Sequence, residues 1–228
     1  MATLFIIPTP VGNLEDITYR SVRLLKEVDL ILAEDTRTTK HLLDHYGIEA
    51  RIESYHKFNE HKKAALLAQQ ISNNQQKAAL VSEAGTPGIS DPAYLLINRC
   101  LEQQIEVETL PGATAFLPAL INSGLPCDKF VFEGFLPHKK GRKKRIEWLC
   151  QEERTIVLYE SPYRLVKTLQ QLAEYFGEQR QASISRELTK MHEETLRGTL
   201  AELSRHFQDK KIKGEIVLVV AGKGKGTS

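Results

Sequence analysis

Three loops carry the residue types most suited to gripping a ligand through main-chain atoms. They are Pro8-Thr9-Pro10-Val11-Gly12-Asn13, Ser82-Glu83-Ala84-Gly85-Thr86-Pro87-Gly88-Ile89-Ser90-Asp91-Pro92 and Leu110-Pro111-Gly112-Ala113-Thr114-Ala115. Each leaves a short apolar run, and each is rich in Pro, Gly and small polar residues that bring backbone N–H and C=O groups close to a bound molecule. One such loop is ordinary turn chemistry. Three leaving strands at the same edge of a sheet point to a site. Neither GxGxxG nor GxxxxGK[ST] occurs, which disfavours a nicotinamide fold and a P-loop NTPase.

Charged groups lie at other strand ends. Ala33-Glu34-Asp35-Thr36-Arg37 sets two carboxylates and a guanidinium after an apolar run. Two readings of Asp35 and Arg37 stand level: a helix N-cap with a surface ion pair, or a pair placed over a cleft. His56, Asn59 and Glu60 precede a helix, where a cap and a dipole partner explain most of the pattern. Tyr159-Glu160-Ser161-Pro162-Tyr163-Arg164 and Ser185-Arg186-Glu187-Leu188-Thr189-Lys190 crowd charge around further strand ends. Such charge is costly unless paired, and a pair of Arg186 with Glu187 or Glu160 could be structural.

A basic run follows the aromatic loop Phe132–Pro137. Lys139, Lys140, Arg142, Lys143, Lys144 and Arg145 are six cations in eight residues, with no acid among them. A solvated helix face is the usual explanation; contact with a phosphate backbone is the functional one. Net charge is only +2, yet residues 129–228 hold 20 of the 31 basic side chains against 13 of the 29 acids. The second half is therefore the half that attracts an anionic partner.

The elements needed to position these loops are legible as alternating patterns. Strands are expected at Leu4–Ile7, Leu30–Ala33, Ala78–Val81 and Ile105–Leu110. Helices are expected at Ile17–Val28, Lys40–Tyr46, Glu60–Ile71 and Pro92–Gln103. Solid apolar strands separated by helices imply a parallel sheet covered on both faces. The second half reads as helix Ala113–Ile121, strand Phe130–Phe132, helix Gly141–Cys150, strand Thr155–Tyr159, helix Tyr163–Phe176, strands Ala182–Arg186 and Glu194–Arg197, helix Leu200–Phe207 and strand Glu215–Ala221, with a frayed KGKGTS tail.

Composition limits the rest. With 41% hydrophobic and 26% charged residues the chain is an ordinary globular sequence rather than a disordered polyelectrolyte. Three cysteines (Cys100, Cys127, Cys150) without CxxC or Cys/His spacing suggest reduced thiols rather than a disulfide frame or zinc site. The N-terminal apolar run is too short for a signal peptide, and no stretch nears the ~20 apolar residues of a membrane span. A cytoplasmic protein without a membrane partner is expected.

Taken together, these loops resemble one family. Pro8–Thr18, Ala33–Arg37, Glu83–Pro92, Pro111-Gly112-Ala113, Phe132–Pro137, Tyr159–Arg164, Arg186–Lys190 and Gly214-Glu215 resemble, in order, segments of the 16S rRNA ribose methyltransferases of the tetrapyrrole-methylase-like class. Those are S-adenosylmethionine (SAM) enzymes. The resemblance spans nearly the whole chain. It implies an α/β fold of two domains, placed at residues 1–117 and 118–228: the first with a mainly parallel sheet, the second with a mixed sheet, and a SAM cleft between them. It further implies a homodimer and 2′-O-methylation of a cytidine ribose in the decoding region of 16S rRNA, as naked RNA or in the small ribosomal subunit. Three departures stand out. Glu83 occupies a position where the family usually has Asp, and Tyr163 one where His is common. Longer members continue past the position of Ala221 with a further helical segment, so any RNA contact made there has no counterpart in this chain.

By resemblance SAM contacts Pro10, Glu83, Gly85, Thr86, Ile89, Thr114 and Ala115, with Leu136 and Tyr159 closing the cleft. Methyl transfer to a ribose hydroxyl is an in-line displacement that requires alignment and a base, and no metal. Asp35, Glu60 and Glu187 are the candidate bases, with Arg37 and Arg186 orienting phosphate or holding those acids ionised. The run from Lys139 to Arg145 would steer RNA. Two alternatives remain: a tetrapyrrole methylase of the same fold, and an RNA-binding member without catalysis.

Overall fold

The computed structural model describes residues 1–224, so the end of the KGKGTS tail lies outside the described residues. The chain divides into two units, Met1–Thr114 and Ala115–Ser228.

The first unit is built from β1 (Thr3–Ile6), α1 (Tyr19–Glu27), β2 (Leu30–Ala33), α2 (Thr36–His45), β3 (Ile52–Ser54), α3 (Glu60–Asn73), β4 (Lys77–Val81), α4 (Tyr94–Glu102) and β5 (Glu106–Thr109). All five strands run parallel in the order β3-β2-β4-β1-β5. Alternate side chains of the central strands feed two cores. Leu4 and Ile6 pack with α3 and α4, whereas Phe5 and Ile7 pack with α1 and α2. The crossovers after β1 and β2 therefore lie on one face and those after β3 and β4 on the other. Chains leave to opposite faces on both sides of β4, which puts switch points at the centre of the sheet. Ligands bind at such a switch, beyond the carboxyl ends of the strands.

Several local expectations are corrected. The helix expected from Ile17 starts at Tyr19, capped by Thr18, which accepts from Ser21 N–H at 3.0 Å, and Glu15 and Asp16 lie before it in a separate 3-10 turn (Leu14–Asp16) capped by Asn13. α2 begins at Thr36, upstream of the expected Lys40, because the Asp35 carboxylate caps it. Asn59 does not cap α3 with its side chain; its Oδ1 accepts the His56 N–H at 2.8 Å instead. The edge strand β3 is an addition: three half-buried residues with Glu53 at their centre show no apolar run.

The second unit holds α5 (Phe116–Asn122), β6 (Phe130–Phe135), α6 (Arg142–Leu149), β7 (Thr155–Glu160), α7 (Leu165–Phe176), β8 (Gln181–Arg186), β9 (Glu194–Thr199), α8 (Leu200–Phe207) and β10 (Ile216–Val220). Its sheet is mixed, in the order β6-β7-β10-β8-β9, with only β6 and β7 parallel. Ala119 and Leu120 of α5 cover one face against Val157, Val217 and Val219. α6, α7 and α8 cover the other through Ile146, Leu149, Leu169, Leu172, Leu203 and Phe207. Among the described residues no helix is long and apolar enough to cross a membrane.

Candidate active site

At the carboxyl edge of the first sheet the loops after β1, β4 and β5 are tied to one another. Thr9 and Gly85 exchange both main-chain hydrogen bonds at 2.9 Å, joining the β1 loop to the β4 loop. Thr9 Oγ1 donates to Ser82 C=O at 3.1 Å, Ser82 Oγ donates to Gly85 C=O at 3.0 Å, and Thr86 Oγ1 donates to Ala113 C=O at 3.0 Å, which adds the β5 loop. Gly85 has φ +81°, a conformation open to glycine at little cost. Gly112 is required for a different reason: a Cβ there would stand 2.6 Å from Pro8 Cβ. The three loops thus form one preorganised rim of backbone groups. It brings together Pro10, Gly85, Thr86 and Thr114, with exposed Glu83 and Ile89 on the same rim.

Beside this rim sits a carboxylate group that sequence reasoning passed over. Glu34, the first residue after β2, is hydrogen-bonded through its carboxyl to Asp91 and accepts the N–H of Glu83. Burial, then the negative charges of Asp91 and Glu83, push the Glu34 carboxyl up to about 7, and burial with Glu83 also raises Asp91. Two acids hydrogen-bonded to each other share one proton, so this pair can take up or release a proton near neutral pH. The local signal was slight: a Glu directly after the fully buried Ala33, and an Asp between Ser90 and Pro92.

The expected bases are less available. Asp35 accepts from Arg37 N–H at 2.7 Å and from Arg37 Nη2 at 2.8 Å, which holds its carboxyl down at about 2. It stays ionised and both its oxygens accept hydrogen bonds, so the capping reading of Asp35 and Arg37 describes what is seen. Glu60 opens α3. Arg186 and Glu187 lie in the second unit and do not pair with each other. Arg186 pairs with Glu194 at 3.3 Å, while Glu187 accepts from Glu215 N–H and Lys190 Nζ, each at 3.0 Å, and is held below the usual carboxylate range. Both are engaged in tying β8 to neighbouring chain segments.

In that second unit Leu136 follows β6 and is buried in the core, 1% exposed, with its C=O accepting from Arg164 Nη1 at 3.4 Å. The Tyr159 ring meets Phe132 and Phe135 at centroid distances of 5.2 and 5.6 Å. Ala115 packs with Phe116 against the α5 face of the sheet.

The basic run does not act as one surface, and acids do balance part of it. Arg142 is buried: its guanidinium donates to Gln171 at 2.8 Å, Thr168 at 2.7 Å and Pro137 C=O at 3.2 Å, and lies 3.8 Å from Glu160. Glu160 is also held by Arg164 at 2.7 Å. Arg145 is bound bidentately by Glu133. Arg142 is thus withdrawn from any RNA surface, because Glu160 offers it a buried counter-charge. Lys139, Lys140, Lys143 and Lys144 remain exposed.

The family profile of Tetrapyrrole (Corrin/Porphyrin) Methylases matches residues 3–204. The chain is 49% identical over 223 residues to a protein named ribosomal RNA small subunit methyltransferase I from Synechocystis sp., covering 97% of this chain and 80% of the relative. Relatives of the same name from Thermotoga maritima (46% over 223 residues, 98% and 100% covered) and Escherichia coli O157:H7 (46% over 222 residues, 96% and 77% covered) agree. The chain belongs to the tetrapyrrole methylase family, among the ribosomal RNA small subunit methyltransferases I. As a member of that family it is a SAM-dependent methyltransferase with a parallel first sheet and a mixed second one. Solved tetrapyrrole methylases share the fold at low identity. Uroporphyrin-III C-methyltransferase from Thermus thermophilus has TM-score 0.66 at 17% identity, covering 97% of this chain and 94% of that one. The methyltransferase CobJ has TM-score 0.71 at 18% identity, covering 97% and 95%.

Proposed function

We propose that this methyltransferase moves the methyl group of SAM to the 2′ oxygen of a cytidine ribose in the decoding region of 16S rRNA, as a cytoplasmic homodimer. The observation that carries this reading is the 46–49% identity, over nearly the full chain, to relatives named for methylating small-subunit ribosomal RNA.

The rim fits SAM in chemical character. Thr9 and Gly85 use their main-chain groups on each other, which leaves Pro10 C=O and the main-chain groups of Thr86 and Thr114 for the adenosine and methionine ends. Exposed Glu83 suits the ammonium, and Ile89, 46% exposed, suits an apolar surface. Ala115, Leu136 and Tyr159 are proposed as further contacts. Bound SAM supplies a methyl on a sulfonium, which departs as a neutral thioether.

The chain's own residues do the rest. The rim fixes the donor so that the ribose oxygen approaches in line, and alignment of this kind is worth roughly 7–11 kcal/mol. Glu34 is the base in this account in place of Asp35: deprotonated above about pH 7, it accepts the 2′-hydroxyl proton as the oxygen attacks. Lys139, Lys140, Lys143 and Lys144 neutralise RNA phosphates, while Arg37, with its side chain 90% exposed, is available to a phosphate beside Asp35.

The test is incubation with methyl-labelled SAM and small ribosomal subunits lacking this modification. Label in 16S rRNA supports the reading. Label in an added porphyrinogen with none in RNA, or tight RNA binding without transfer, contradicts it.

A further inference from the structure

Trp148, the chain's single tryptophan, lies in the last turn of α6 and is 53% exposed. The helix packs through Ile146 and Leu149, and Trp148 belongs to none of the unit's buried clusters. Exposure alone says little, since Tyr19, Phe58 and Tyr163 are more exposed still; what sets Trp148 apart is the charge around it.

Its surroundings say which occupant. The Arg145 guanidinium lies 4.4 Å from the indole centroid, and Arg145 is itself pinned by both carboxylate oxygens of Glu133. The ring is therefore braced from one side by a planar cation that cannot swing away, so little side-chain freedom is left to lose on binding. Lys144 is one helical turn before Trp148 and on the same side, with Cβ atoms on the order of 6 Å apart. Lys139 and Lys140 lie in the approach to α6, and together with Lys144 they make no ion pair among the described residues. Lys143 reaches only Glu147, at 3.8 Å.

We propose that α6 is the contact for an unpaired stretch of RNA, in which Trp148 stacks on a splayed base while Lys144, Lys139 and Lys140 hold the flanking phosphates. A base inside a duplex has both faces covered by its neighbours, so the indole selects single-stranded nucleotides in a loop, bulge or end, whereas the lysines alone would accept either form. The inference deepens the rRNA reading above and rests on it, adding which state of the RNA the enzyme grips.

The single tryptophan makes the test direct. Fluorescence of the full chain is titrated with a short unpaired oligoribonucleotide, with a duplex of equal charge and with polyglutamate, and methyl transfer to small subunits is measured on the same preparation. The expected result is saturable quenching by the unpaired RNA alone. Because Trp148→Ala and Trp148→Phe carry no tryptophan, their RNA affinities are read by calorimetry alongside the parent's: Trp148→Ala should raise the Kd for unpaired RNA by about 5- to 100-fold and for duplex RNA by less than about two-fold, with SAM affinity unchanged; Trp148→Phe should keep most of the preference. Equal loss on both RNA forms, quenching by polyglutamate as strong as by RNA, or unpaired RNA that binds without altering fluorescence would overturn the proposal. Transfer to rRNA that persists through any of these leaves the rRNA reading standing; absent transfer in the unaltered protein removes that reading instead.

Discussion

The carboxyl groups of Glu34 and Asp91 are hydrogen-bonded to each other between the loops that leave β2 and β4. Glu34 ionises near pH 7 because burial and two neighbouring acids oppose its charge. If Glu34 removes the ribose proton, the methylation rate must rise with pH through an inflection near 7. Glu34→Gln should lower the rate by roughly 10²- to 10⁴-fold and abolish that inflection. A pH profile of kcat/KM for both proteins decides this; a variant that retains the inflection assigns it elsewhere.

The same pair affects folding stability, with a definite sign. The folded-state value for Glu34 lies above the ordinary carboxyl value of 4.5, so between about pH 4.5 and 7 the folded state binds more protons than the unfolded one. Stability contributed by the protonated pair is full below that window and falls as pH rises through it. Thermal unfolding of Glu34→Gln should therefore show a higher Tm than the parent at pH 8 and a smaller difference at pH 5. Asp35, held at about 2, acts oppositely, and its contribution is lost as pH drops from about 4 toward 2.

Gly112→Ala tests the rim. The new methyl would meet Pro8 at 2.6 Å, and overpacking of this kind costs typically about 1–3 kcal/mol. Because the strain falls on the β1 and β5 loops, SAM affinity measured by calorimetry should weaken along with stability. Unchanged affinity would show that these loops do not hold the cofactor.

Arg142 and its neighbours separate packing from RNA binding. Glu160→Gln leaves the buried Arg142 and the partly buried Arg164 without their counter-charge and should destabilise by about 3–5 kcal/mol in urea unfolding. Replacing Lys139, Lys140, Lys143 and Lys144 together by Gln should change stability little. It should instead raise the RNA Kd and flatten its logarithmic salt dependence by about 3, at about 0.7 per phosphate contact, with SAM affinity unaltered. An unaffected salt slope would remove these lysines from the interface.

What could be read in advance followed how local the physics was. Leu30–Ala33 was legible to the residue because it is a fully buried apolar run bounded by Asp29 and Glu34. Leu200–Phe207 was also expected to the residue, and a capping box of Thr199 and Glu202 fixes its start. β3 was not, because an edge strand of three half-buried residues carries no apolar pattern. The site was legible as loops rather than as roles. Gly85 and Thr86 advertise a tight turn by residue type, but the proton affinity of Glu34 depends on Asp91 and Glu83, which only the fold brings to it. Arg142 looked like one more surface cation, and its burial is decided by Glu160, on a strand that follows α6.

The claim that this chain methylates a ribose oxygen of rRNA is tested most directly by alkaline hydrolysis of 16S rRNA labelled by the enzyme from methyl-labelled SAM. A methylated 2′ oxygen cannot attack the adjacent phosphate, so the label should emerge in an alkali-stable dinucleotide containing cytidine. Label emerging in mononucleotides would place the methyl on a base and contradict the account.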